Sequence, residues 1–338
     1  MKISIIGAGS WGTALSIYFG RREFDVKIWC YEKEVEEDIN KNRENRTYLE
    51  GFRIPEKVSA STDLRSVLKD AEIIIFATPS HVTREVLMEA APYLPPDAPL
   101  ISVTKGIEVE TLKLMSQVYE EIIEDVSERF AVISGPTFAR EVARGLPAAA
   151  TIASKNTRLS NHLQRLLSDT TFRLYESSDV IGVEVGGAVK NVIAIAAGIC
   201  DGLKLGLNAR AAIITRGLAE MTRLGVKMGA NPLTFLGLSG IGDLVLTCTG
   251  DLSRNRMVGV KLGEGKRLKD IILSTPMVAE GVKTSIAVKA LSEREGVEMP
   301  ISETVYRILH EGMKPEEGAR VLMARSLKEE LYGISLNR

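Results

Sequence analysis

Apolar residues fall along this chain in two rhythms. Through the first half they come as short runs: Lys2 to Ile6, Val26 to Trp29, Glu72 to Ala77, Leu100 to Val103 and Phe130 to Ser134. Runs this short, rich in branched residues and stopped by turn-forming ones, read as buried strands. Ala148 to Ala153 and Phe172 to Tyr175 read as the last strands. Helical patterns lie between them, at Thr13 to Phe19, Asp63 to Lys69, onward from Thr78-Pro79-Ser80 to about Ala91, and Leu159 to Leu167. Residues 40 to 57 are polar, with Gly51 and Pro55, and read as a loop. Pro92, Pro95, Pro96 and Pro99 form a rigid connection. Alternating strands and helices predict a mostly parallel sheet, with ligands beyond the carboxyl ends of its strands.

After Ser177-Ser178-Asp179 the rhythm becomes helical throughout. Helices are expected at Val183–Cys200, Ala209–Leu224, Leu233–Leu238, Val258–Glu264, Lys269–Leu273, Lys283–Glu293, Ile301–His310 and Pro315–Glu330. The fold class is therefore a Rossmann-type α/β domain over residues 1–178, followed by an all-α domain over 179–338. Within the second domain, Val183 to Cys200 is apolar or small from Val185 on, except for Lys190 and Asn191. Its glycines and alanines let other backbones come close. It is too short, and charged too near its middle, to be a membrane span. A lysine in a buried helix either snorkels to a nearby surface or has its ammonium penalised by burial, which lowers its pKa.

Composition narrows the classes. The chain has 338 residues, 45% hydrophobic and 26% charged, with a formal net charge of −1. That is the balance of a soluble globular protein, with no general attraction to nucleic acid or anionic membrane. Three scattered cysteines suit reduced thiols in a cytoplasmic protein, and three scattered histidines give no zinc spacing, so no metal is expected. MKISIIGAG reads as a first strand, not a signal peptide.

The chemistry starts at Gly7-Ala8-Gly9-Ser10-Trp11-Gly12, a GxGxxG between a strand and a helix. Gly7 permits the tight turn, Gly9 lets backbone approach a pyrophosphate, and Gly12 lets the helix pack on the strand. The helix N-terminus favours phosphate. Glu32 lies about 20 residues on, where such folds place a ribose-binding carboxylate. Equally, it belongs to a run of acids and lysines that would be solvated in any fold. Lys105 and the Gly135 turn follow strands, at the carboxyl edge. A nucleotide domain followed by a buried lysine suggests an oxidoreductase in which Lys190 exchanges the proton, with a nearby cation such as Lys105 lowering its pKa further. Asp243, in a glycine-rich turn, is either a helix N-cap or a carboxylate orienting a lysine or a substrate hydroxyl. Thr249 to Arg256 is either a solvated loop or, through Ser253, Arg254 and Asn255, a phosphate site.

Together GAGSWGTA at 7–14, TKGIE at 104–108, SGPTFAREV at 134–142, VGGAVKNVIAIAAG at 185–198, GLSGIGDLVLTCTGDLSRN at 237–255 and VAEGVKT at 278–284 make the chain resemble the soluble, bacterial-type NAD(P)-dependent glycerol-3-phosphate dehydrogenases. The resemblance implies interconversion of sn-glycerol 3-phosphate and dihydroxyacetone phosphate, supplying glycerol phosphate for phospholipids. It implies catalysis by Lys190, with Lys105, Asp243 and Thr247 around the substrate and Lys105 also contacting cofactor. Ser253, Arg254 and Asn255 resemble the substrate-phosphate loop, with Arg254 also near the cofactor, and Asn191 is placed with the substrate. Ser10, Trp11, Gly135, Thr137 and Ala139 match cofactor-contact positions, with Gly135 and Thr137 also assigned to substrate, as do Val278 and Glu280. Many bacterial members carry an arginine just after the second strand. Here the residues are Trp29-Cys30-Tyr31-Glu32, nearer the NAD-preferring pattern, so NAD is favoured over NADP, with Lys33 the cation nearest a 2′-phosphate and Lys27 facing away along its strand. The expected partner is a small molecule, with no nucleic acid, no integral membrane segment, and a homodimer left open.

Overall fold

The short apolar runs of the first half assemble into one sheet of eight strands in the order β3-β2-β1-β4-β5-β6-β7-β8. The strands are β1 (Lys2–Ile6), β2 (Asp25–Trp29), β3 (Val58–Ser61), β4 (Ile73–Phe76), β5 (Leu100–Ser102), β6 (Phe130–Ser134), β7 (Ala148–Ala153) and β8 (Phe172–Ser177). All neighbours run parallel except β6 and β7. The strand order through β6 is the doubly wound one, whose direction of winding reverses between β1 and β4. Helices of this unit are α1 (Ser10–Arg21), α2 (Lys33–Glu37), α3 (Arg46–Leu49), α4 (Leu64–Leu68), α5 (Ser80–Ala90), α6 (Met115–Ile122), α7 (Ala139–Arg144) and α8 (Thr157–Leu167). The structure is a computed structural model and describes residues 1–273, 279–330 and 332–334.

The helical half contains α9 (Val180–Gly202), α10 (Leu207–Lys227), α11 (Asp243–Thr249), α12 (Arg254–Gly263), α13 (Leu268–Leu273), α14 (Glu280–Glu295), α15 (Pro300–His310) and α16 (Pro315–Met323), with no strand among the described residues. The chain divides into a first unit of Met1–Thr104 with Met115–Val180 and a second of Lys105–Leu114 with Ile181–Arg338. The contiguous 1–178 and 179–338 division would leave Lys105 in the nucleotide half. Ile107 and Leu114, however, are buried in the same apolar cluster as α9, so this hairpin-like excursion goes with the helices.

Three expectations change. Residues 40–57 are not wholly loop: Asn45 accepts a hydrogen bond from the Tyr48 amide and so caps α3. The strand β3 that follows reads VSAS, too polar to stand out, and is held by pairing with β2. The last helix ends at Met323 instead of Glu330, because beyond it Arg325 and Lys328 turn back to the Glu298 carboxylate. Finally, α9 is longer than expected. At 23 residues it is long and apolar enough to cross a membrane, yet 94% of its most apolar window is buried inside the protein.

Small residues explain how α9 is buried. A Cβ on Gly198 would lie 2.1 Å from the Arg256 carbonyl oxygen, and one on Gly259 of α12 would lie 2.1 Å from that of Ile195. Gly202 and Gly263 repeat the contact one turn on. Near the other end, a Cβ on Gly186 would lie 2.5 Å from the Ser239 carbonyl oxygen. These contacts fix the register of α9 against the segments that carry Asp243 and Asn255.

Candidate functional site

In the first unit the glycine loop joins β1 to α1. Gly7 has φ of +115°, and a Cβ there would lie 2.9 Å from the Ala77 carbonyl oxygen beyond β4. A Cβ on Gly12 would lie 1.9 Å from the Gly7 carbonyl oxygen, so the helix crosses the loop at a distance only glycine permits. A Cβ on Gly9 meets nothing within 4 Å. The middle glycine thus faces open space, while α1 has no acidic residue in its first turn. That combination fits a dinucleotide's pyrophosphate, for which backbone amides and the positive helix end are the donors.

The other positions expected in this unit have these surroundings. The Ser10 hydroxyl donates to the Tyr48 carbonyl oxygen at 2.7 Å. Trp11 is half-buried, edge-on to Phe172. Gly135 follows β6 and packs against Ala150, Thr137 donates back to the Gly135 carbonyl at 3.1 Å, and Ala139 opens α7. Tyr31 is 82% exposed, its ring edge-on to Trp29. Glu32 precedes α2 and accepts a hydrogen bond of 2.6 Å from the Tyr48 hydroxyl. Lys33 is paired with Glu36, and Lys27 donates to the Ser66 carbonyl. Sequence reasoning missed Tyr48 and Asn45; the Asn45-x-x-Tyr48 spacing of a capped turn was the available signal.

The second unit holds a charged cluster. Lys190 does not snorkel: it is 5% exposed. Its Nζ donates to Asp243 Oδ1 at 2.6 Å and to Thr247 Oγ1 at 2.8 Å. Lys105 Nζ donates to the other carboxylate oxygen of Asp243 at 2.8 Å. Asp243 therefore bridges two ammonium groups. It is not an N-cap: Gly242 occupies that place, and Asp243 is the first residue of α11, which puts Thr247 one turn on along the same face. The Gly186–Ser239 contact lies one turn before Lys190 on one side and four residues before Asp243 on the other, so close approach there sets the ion pair.

Burial, the largest influence on Lys190, pulls its pKa down; Asp243 pulls it up, Lys105 pushes it down again, and the result is about 8. Burial acts on Asp243 in the opposite sense, but Lys105 and Lys190 outweigh it and hold the carboxyl below its ordinary value. The neighbouring Cys248 thiol is pushed up to about 12 by burial, which leaves it an inert thiol at neutral pH.

A second set of bonds backs the cluster. Asn191 Nδ2 lies 3.4 Å from the Lys105 carbonyl oxygen, Asn255 Nδ2 donates to Asn191 Oδ1 at 2.9 Å, and the Gly281 amide donates to Asn255 Oδ1 at 2.9 Å. Ser253 caps α12 by accepting from the Arg256 amide. Arg254 is close enough to Glu280, the first residue of α14, to feel its charge. Val278 lies outside the described residues. Six of the expected positions, Lys105, Lys190, Asn191, Asp243, Thr247 and Asn255, are thus joined in one hydrogen-bonded network.

Comparison with known proteins shows the family. The family model described as NAD-dependent glycerol-3-phosphate dehydrogenase N-terminus matches residues 2–160, and its C-terminus counterpart matches residues 179–320. A glycerol-3-phosphate dehydrogenase [NAD(P)+] of Syntrophobacter fumaroxidans is 51% identical over 330 residues, 97% of each chain. One of the same description from Syntrophotalea carbinolica is 51% identical over 332 residues, 98% of this chain and 100% of its own. The crystal structure of a glycerol-3-phosphate dehydrogenase from Coxiella burnetii superposes with a TM-score of 0.92 at 41% identity, over 96% of this chain and 99% of that one. With matches to both halves and to nearly its whole length, the chain belongs to the NAD-dependent glycerol-3-phosphate dehydrogenase family.

Proposed function

We infer that this protein interconverts sn-glycerol 3-phosphate and dihydroxyacetone phosphate with a nicotinamide dinucleotide, a reaction that supplies the glycerol phosphate of phospholipids. The observation that carries this reading is Lys190, an ammonium buried against Asp243 with a pKa near 8. The dinucleotide, when bound, supplies or takes up the hydride. In the reducing direction hydride on C2 of the ketone leaves negative charge on its oxygen, and Lys190 donates the proton that makes the hydroxyl. In the oxidising direction the neutral amine takes that proton back. An ammonium has three N–H bonds. Asp243 and Thr247 are the partners of Lys190 among the described residues, which leaves one N–H for the substrate oxygen. The Thr247 hydroxyl donates to the Asp243 carbonyl at 2.6 Å, so its lone pair is turned to the lysine.

Asp243 keeps the lysine in place and, staying ionised, balances the charge of Lys105. Lys105 in turn offers positive charge to the anionic substrate. Ser253, Arg254 and Asn255 are our candidates for its phosphate, with the Arg254 guanidinium the natural fork for that group. Gly7, Gly9, Ser10, Trp11, Gly12, Ala139 and Glu280 are assigned to the dinucleotide. We assign NAD as the preferred form: Glu32 carries no paired cation among the described residues, and Lys27 and Lys33 are engaged elsewhere. Three buried free cysteines support a cytosolic setting. A homodimer is part of the reading, to be checked by sedimentation.

The decisive assay follows NADH oxidation with dihydroxyacetone phosphate and, separately, with a 2-oxo acid. Turnover of the phosphate ester alone is expected. Absence of turnover would reduce the chain to a nucleotide-binding module, and preference for the 2-oxo acid would move it to another reductase class.

A further inference from the structure

The stretch 40–57, featureless in sequence, carries a bracket that ties the glycine loop to Glu32. Asn45 is 1% exposed, and its Nδ2 donates to the Ala8 carbonyl oxygen and to Thr13 Oγ1, both at 2.8 Å. Its Oδ1 accepts from the Tyr48 amide at 3.1 Å. Ser10 Oγ reaches the Tyr48 carbonyl oxygen at 2.7 Å. Three residues of the loop and first turn of α1 thus hold Tyr48, and the Tyr48 hydroxyl donates to Glu32 Oε1 at 2.6 Å.

The chemistry of that last bond bears on nucleotide choice. An ionised carboxylate only accepts hydrogen bonds, and it has about four lone-pair positions. Tyr48 takes one and fixes the side chain; the others are left for hydroxyl donors. An adenosine ribose offers such donors at its 2′ and 3′ positions, and a carboxylate at this place in a Rossmann fold takes the 2′-hydroxyl. A 2′-phosphate has no proton to give there and is repelled. Burial, then the Glu32 bond and charge, push the Tyr48 phenol up to about 12, so it stays a donor at neutral pH.

We propose that Tyr48 is a positioning residue for nucleotide selection: through its hydrogen bond it holds Glu32 in the orientation that favours an unphosphorylated adenosine ribose. The proposal rests on the NAD reading above. The test is equilibrium binding of NADH and of NADPH, by fluorescence titration at one ionic strength, to the full chain and to Tyr48→Phe, Glu32→Gln and the double variant. Wild type should bind NADH at least about tenfold more tightly, a difference one contact can supply. Tyr48→Phe keeps the ring and should weaken NADH by about fivefold to tenfold, the scale of one ordinary hydrogen bond because Tyr48 acts on the nucleotide only through Glu32, while NADPH stays within twofold. In the Glu32→Gln background it should add little. Equal weakening of both nucleotides, or of neither, in a wild type that prefers NADH would overturn the role of Tyr48 alone. A wild type that prefers NADPH would overturn the NAD reading itself.

Discussion

Asp243 and Glu220 are two carboxylates of the same helical unit, each 1% exposed, whose pKa values move in opposite directions. Glu220 on α10 accepts from the Ile301 amide at 2.6 Å, the Ser302 amide at 3.1 Å and the Ser302 hydroxyl at 2.9 Å. It supplies from a neighbouring helix the cap that α15, which opens on Pro300, does not provide for itself. Burial still dominates, and its pKa is raised to about 7. Asp243 is equally buried but touches two ammonium groups, and its pKa is lowered. At Glu220 three neutral donors and the charge of Arg223 all favour the ionised form but do not overcome burial; at Asp243 two directly bonded ammonium groups do. The first arrangement builds a helix junction, and the second is the one we assign to proton transfer.

The strongest break in this contrast removes the charges at Asp243. Lys190→Ala should cut kcat by about 100-fold or more, the scale of a lost general acid, with NADH binding nearly unchanged. Asp243→Asn should cost as much, and it also strips Lys190 of the anion that raises its pKa. The alkaline limb of kcat/KM for ketone reduction, near pH 8 in wild type, should then move to lower pH. Lys105→Met should cost about tenfold, the value of one charge-assisted contact. It should move that limb upward, because a like charge is lost. Opposite shifts from the two variants would establish the triad; shifts in the same direction would dissolve it.

Two smaller effects sharpen the comparison. Gly186→Ala places a methyl group against the Ser239 backbone and should lower unfolding free energy by about 1–3 kcal/mol. It should also slow turnover a few-fold by spreading the Lys190–Asp243 contact. Glu220→Gln should leave kcat within about twofold, since it touches no group of the site, and should act on stability instead. Between pH 4.5 and about 7 the folded protein binds more protons at Glu220 than the unfolded chain does. Its contribution is therefore present below pH 4.5 and lost as pH rises through 7. Thermal melts should show this decline in wild type relative to Glu220→Gln. Asp243 has the opposite sign: its contribution is present above pH 3.8 and lost as pH falls through its lower folded value.

Much of this was legible in the chain itself. The strands β1 and β6 match the apolar runs residue for residue, and the glycine loop does what its spacing requires, because strand burial and turn geometry are local properties. The burial of α9 could be read from its composition, and Lys190 stood out within it because a charge in such a helix must be accounted for. Asp243 was harder. A carboxylate beginning a helix has a common local explanation, and the sequence could not reject it.

Only the tertiary structure decided between those explanations. Asp243 meets Lys190 across 53 positions of sequence and Lys105 across 138. Periodicities of two and 3.6 residues carry no information about such distances. They depend on which backbones can approach, and here on Gly186 against Ser239. The same holds for Tyr48 and Glu32, joined by a turn too short and polar to announce itself. The sequence by itself determined most of the elements, the glycine loop between β1 and α1, and which buried lysine is the candidate for proton transfer. The tertiary structure alone decided which charges surround that residue, and so its pKa, because electrostatic energy depends on distance in space and not on separation along the chain.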